Sequence, residues 1–139
     1  MSTDVRPELS ERNKYWISRH RFYELKHFCL QYPEWSKAVT ELGFLPSRVY
    51  DDTNVSHSSN VNDPTYDSAM KRFKYLEWMQ LVDDTANDAS QDLYLWLMMG
   101  VTKGITYPTL STLYGIPCCR DTYYEVYRRF FWLLDQRRG

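Results

Sequence analysis

Gly104, Gly115 and Pro117 cut the stretch from Leu93 to Leu134, LYLWLMMGVTKGITYPTLSTLYGIPCCRDTYYEVYRRFFWLL, into three runs of helical period. No other feature restricts the fold as much. Leu93, Leu97 and Val101 recur at helical spacing, and Gly104 follows where a helix end favours positive φ. Thr106 is placed to cap the next run, with Pro108 in its first turn, where an absent N–H costs little. Leu110, Leu113 and Tyr114 form the expected inner face of this short helix, and Gly115 ends it. Ile116 is expected to plug the angle between the last two helices, and Pro117 stops the earlier one from continuing. The third run sets Tyr123, Val126 or Tyr127, Phe130 and Leu134 on one stripe. Arg120, Tyr124, Arg128 and Arg129 are expected on the other side.

Helix, glycine-marked turn, helix is the pattern of a helix-turn-helix, which carries a helix into the major groove of DNA. The plainer alternative is a helical hairpin that only builds a core, since aromatic stripes at this spacing usually do so. The arginines favour DNA, because a guanidinium suits both phosphate and guanine. On this reading Arg120, Thr122, Tyr123 and Tyr124, in the first turns of the last helix, are candidates for base edges. Lys103, Arg128 and Arg129 are candidates for phosphates.

Charge is divided along the chain in a way that its net −1 conceals. Residues 1–50 hold eight Lys/Arg against six Asp/Glu, residues 51–92 three against nine, and residues 93–139 six against three. Basic character only on the face that meets phosphate is enough for a nucleic-acid binder. The acidic middle argues against DNA wrapped round the whole molecule. Twelve Tyr and five Trp in 139 residues are too many for a disordered chain, and the length suits one domain with a real core. No apolar run approaches the roughly 20 residues of a membrane span, and MSTDVRPELSER lacks a signal-peptide core. A cytoplasmic protein is expected. The three cysteines, Cys29, Cys118 and Cys119, fit that compartment, being odd in number and in part adjacent.

Elsewhere the first ten residues read as a frayed terminus. Phe22, Leu25, Phe28, Cys29 and Tyr32 predict a helix over about 12–31, opened at Ser10. After Pro33 a short helix with Trp35, Ala38, Val39 and Leu42 inward is closed by Gly43. Residues 44–62, rich in Ser, Asn and Asp, read as a flexible loop. Asp63-Pro64 opens a helix to about Thr85, with Tyr66, Met70, Phe73, Leu76 or Glu77, and Gln80 along one side. The expected fold is all-α, a helical bundle with a C-terminal helix-turn-helix. Residues 1–43 form its N-terminal helical segment, 44–62 the loop, and 63–139 the long helix plus helix-turn-helix. The last part is expected to make one compact unit with the N-terminal helices.

Spacing offers little for catalysis or metal. His20 and His27 lie two helical turns apart, His57 is in the loop, and Cys118-Cys119 has no second pair at finger-like distance. No phosphate loop, nucleophile elbow or zincin motif is present. Asp51-Asp52 and Asp83-Asp84 are adjacent carboxylates whose side chains diverge. No enzyme, cofactor or metal is expected. A redox role for Cys119, near a helix N-terminus, is the one chemical alternative. The segment Arg19–His27 interleaves basic and aromatic residues, but its acidic partners make a charged outer helix face the better reading.

The runs KYWISRHRFYELKHFCLQYPEWSKAV (14–39) and GIPCCRDTYYEVYRRFFWLL (115–134) resemble small phage regulators of the RinA/ArpU type, over nearly the whole chain. The C-terminal part also resembles region 4 of bacterial sigma factors. Gly115-Ile116 matches that pattern's turn and Thr122-Tyr123 its Thr-Val pair, while Pro117–Asp121 lengthens the turn. The resemblance implies a sequence-specific DNA-binding regulator of phage genes, a late-gene activator, with double-stranded DNA, host RNA polymerase and a second copy as partners. Two alternatives stand beside it. One is an interaction module for a host protein such as RNA polymerase or a defence factor. The other is a small-terminase-like packaging subunit.

Overall fold

The computed structural model describes residues 12–44 and 64–139. Six helices account for most of them: α1 (Arg19–Leu30), α2 (Tyr32–Phe44), α3 (Pro64–Ala89), α4 (Tyr94–Lys103), α5 (Tyr107–Tyr114) and α6 (Arg120–Arg138). There is no strand among the described residues, and the fold is all-α. The expected frayed terminus, the Ser10 and Asp63 caps and nearly all of the 44–62 loop lie outside the described residues.

Local hydrogen bonds explain where the helix ends depart from expectation. α1 begins at Arg19, not near 12, because Asn13 turns the chain first. The Asn13 carboxamide oxygen accepts the Tyr15 N–H at 2.7 Å, and its carbonyl accepts the Trp16 N–H at 3.0 Å. Ser18 is extended and caps the helix with its hydroxyl oxygen, which accepts the Arg21 N–H at 3.3 Å. α3 continues past Thr85 to Ala89.

Two compact units divide the described chain: residues 12–31 with 81–139, and residues 32–44 with 64–80. The division falls at Gln31 and within α3, not at the loop that the sequence suggested as a boundary. In the first unit α1 packs on α4 and α6, and α4 also meets α5 and α6. The stripe expected on α6 is the one buried: Tyr123, Phe130 and Leu134 are inside, joined by Phe131. Phe131 meets Phe22 of α1 edge-on with centroids 5.0 Å apart, and Leu25, Cys29, Leu97 and Leu110 close the core. Polar ties surround it. Arg21 Nε donates to Asp135 Oδ1 at 2.6 Å, Arg138 lies 4.0 Å over the Phe28 ring, and Arg137 reaches Asp88 and the Thr85 hydroxyl.

The second unit is α2 with the first part of α3. Trp35 is buried against Trp78, ring centroids 5.2 Å apart, and Arg72 Nε donates to the Val39 carbonyl at 3.4 Å. Ala38, Val39 and Leu42 are half-buried. No helix among the described residues is long and apolar enough to cross a membrane.

Candidate nucleic-acid interface

Two glycines set the course of the chain here. Gly104 ends α4 at φ +70° and donates its N–H to the Gly100 carbonyl, and Gly115 ends α5 at φ +62°. Both conformations belong to the left-handed region that suits glycine. Ile116 then donates its N–H to the Leu110 carbonyl and buries its side chain, as a plug should. Trp96 Nε1 donates to the Tyr114 carbonyl at 2.8 Å, tying the end of α5 to α4. The Tyr107 hydroxyl donates to the Cys118 carbonyl at 2.7 Å, so the start of α5 holds the turn that leads into α6.

These ties leave an open cleft of about 470 Å³ lined by Thr106, Tyr107, Pro108, Ser111, Thr112, Arg120 and Tyr124. The first turns of α5 and α6 both contribute to it. Helix N-termini carry the positive end of the helix dipole, although Pro108 offers no N–H and the N–H groups of Asp121 and Thr122 face the Cys119 thiol. The Arg120 guanidinium lies 5.9 Å from the Tyr124 ring and is exposed at the cleft wall. The arrangement suits an anionic ligand.

The expected site residues fall into different places. Arg120 and Thr122 are exposed and Tyr124 is half-buried in the cleft wall. Tyr123 is only 1% exposed, so its side chain belongs to the core and is withdrawn as a base reader. Burial pushes its phenol well above the usual range, with Tyr127 and Tyr124 adding to the effect. Lys103 is exposed at the end of α4. Arg120, Arg128 and Arg129 do not share a face, because at about 100° per residue they point roughly 80° and 180° apart from Arg120. Arg128 is half-buried, with a buried Nε that has no hydrogen-bond partner among the described residues. Arg129 reaches the Asp88 carbonyl at 3.5 Å. Asp121 and Glu125 are exposed on the same first turns as Arg120.

On α5, Leu110 is buried as expected, but Leu113 and Tyr114 are not an inner face, being 72% and 46% exposed. Two turns of helix offer too few positions for the apolar period to settle which side faces in. Thr106 stands at the cap position with extended backbone, yet its side chain makes no capping bond. The cleft itself was missed. Its signal was Ser111 and Thr112, which lie three and four residues after Pro108 on one helix face.

Cys119 is the N-cap of α6, exposed, with Sγ 3.4 Å from the Thr122 hydroxyl. The Thr122 hydroxyl first, then the Thr122 and Asp121 N–H groups, draw its thiol below the ordinary range. Cys118 is shifted upward by burial and by its neighbour. Among the described residues no three His, Cys, Asp or Glu side chains gather as metal ligands.

Set against protein-family models, curated proteins and solved structures, the chain matches none of them. The RinA/ArpU resemblance rests on the quoted residues alone.

Proposed function

We propose that the protein is a phage-encoded, sequence-specific DNA-binding regulator, a late-gene activator, with α5, the turn 115–119 and α6 acting as a helix-turn-helix. The observation that carries this reading is the convergence of two helix N-termini and Arg120 on one cleft. Such an end favours a phosphate through the helix dipole, while a neighbouring first-turn arginine reaches a guanine edge. Thr122 is the second base-edge candidate, and Lys103 and Arg128 contact flanking phosphates. Arg129 contributes less, since it must first leave the Asp88 carbonyl. Asp121 and Glu125 would meet phosphate if α6 lay broadside, so α6 enters tip first. Glu125 can then accept from a cytosine amino group.

Selection from a randomised duplex pool, followed by titration of the enriched site, tests this. The enriched site is bound about 10³-fold or more tighter than random duplex at physiological salt. Arg120→Ala costs about 1–3 kcal/mol on that site and much less on random DNA. Equal affinity for both duplexes overturns the reading.

A second reading draws on Leu95 and Leu113, exposed apolar side chains on α4 and α5. A host protein such as RNA polymerase would cover them, which an activator also requires. Retention of the DNA site but loss of polymerase binding in Leu113→Ser would place that contact here.

A further inference from the structure

The apolar stripe expected along α3 exists, but no described residue of its own unit covers it. Tyr66, Met70 and Phe73 are 61%, 49% and 58% exposed. α2 meets the opposite side of the helix, the side that carries Arg72, Tyr75 and Trp78. At about 100° per residue, Tyr75 stands diametrically across from Tyr66. The stripe steps by four, three and four residues through Tyr66, Met70, Phe73 and Glu77, the spacing of a two-helix seam.

We propose that this half of α3 pairs antiparallel with the same segment of a second copy of the chain. The stripe is complementary to itself when reversed. In one register Met70 lies opposite Phe73 of the second copy, and Phe73 opposite Met70, a thioether against an aromatic ring at the centre. In the flanking layers Tyr66 lies opposite Glu77, where the phenol donates to the carboxylate. On one rim Asp67 comes beside Lys74 of the second copy, twice by symmetry. On the other rim small Ala69 meets Leu76. All six of Tyr66, Asp67, Ala69, Met70, Lys74 and Glu77 are exposed, and the Lys74 ammonium at 5.9 Å from the Trp78 ring remains free to reach across. A parallel pair would instead set Glu77 against Glu77 and would leave Asp67 and Lys74 apart. The antiparallel pair is two-fold symmetric, so it closes on itself as a dimer. It rests on α3 alone and is independent of the DNA reading.

Sedimentation equilibrium of the full chain, from micromolar to hundreds of micromolar, tests the pairing. A monomer–dimer equilibrium is expected, abolished by Phe73→Glu with helical circular dichroism unchanged. Asp67→Lys and Lys74→Asp each weaken the dimer roughly 3- to 10-fold, and the double variant restores it. Only an antiparallel register predicts that rescue. A monomer at every concentration overturns the proposal, as does a dimer indifferent to Phe73→Glu or a double variant no better than the singles. A monomer destabilised by Phe73→Glu overturns it too, since the chain's own residues then cover the stripe.

Discussion

At the residue scale, the Tyr123 hydroxyl is buried against Gly100 with no hydrogen-bond partner among the described residues. A methyl group added at Gly100 would collide with that hydroxyl, yet would sit 3.4 Å from the ring carbon that bears it. Gly100→Ala should therefore cost about 1–3 kcal/mol by overpacking. Tyr123→Phe should be neutral or stabilising by up to about 1 kcal/mol, since it removes an unsatisfied polar group. The two together should recover most of the loss, because alanine is the better helix former once the oxygen is gone. Urea denaturation of the four chains checks this, and additive effects would contradict it. Cys119 makes a separate prediction. Its lowered thiol pKa means that the folded state favours the thiolate. The resulting stabilisation is present above the unfolded thiol pKa and lost as pH falls through the folded one. In alkylation followed by mass spectrometry, Cys119 should react before Cys118 and buried Cys29, with a pH midpoint that rises in Thr122→Val.

At the scale of elements, α6 holds the first unit together: its buried stripe meets α1 and α4, and its last turns carry the ties to α1 and α3. Phe130, fully buried, should cost about 3–5 kcal/mol when cut to alanine, measured by thermal or chemical unfolding. Helices with distinct punctuation or a long period were legible in the chain. Gly104 and Gly115 were readable as left-handed caps because few other residues tolerate that conformation, and α6 has five turns in which to declare its stripe. α5 has barely two, which is why Leu113 and Tyr114 were set inside. The stripe on α3 was also readable, but a period says only that one side is apolar. It does not say whether this chain or another covers it.

At the scale of the molecule, the proposed DNA reading makes charge decide how tightly the duplex would be held. With Lys103 and Arg128 as phosphate contacts, the logarithm of the binding constant should fall against the logarithm of salt with a slope of about −2 per copy. A pair joined through α3 and seated on two half-sites should double the slope to about −4, while Phe73→Glu should return it to the single-copy value. Fluorescence titration across a salt series measures both. The all-α class followed from period and composition. The division into two units did not, because it runs through the middle of a continuous helix where no composition shift marks it. The cleft was half hidden: Pro108, Ser111 and Thr112 share a face of α5, but no local pattern sets Arg120 and Tyr124 of α6 beside them.

The bond from Arg21 to Asp135 spans 114 positions of sequence. During synthesis α1 is complete long before α6 exists. At about 5–20 residues per second, the wait is on the order of ten seconds. Phe22 and Phe28 stay without Phe131 and Arg138 for that time, so α1 is a segment that a ribosome-associated chaperone would meet. α4 can pack on α1 earlier, but a nascent chain interrupted before Phe131 leaves Phe22 without its edge-on partner.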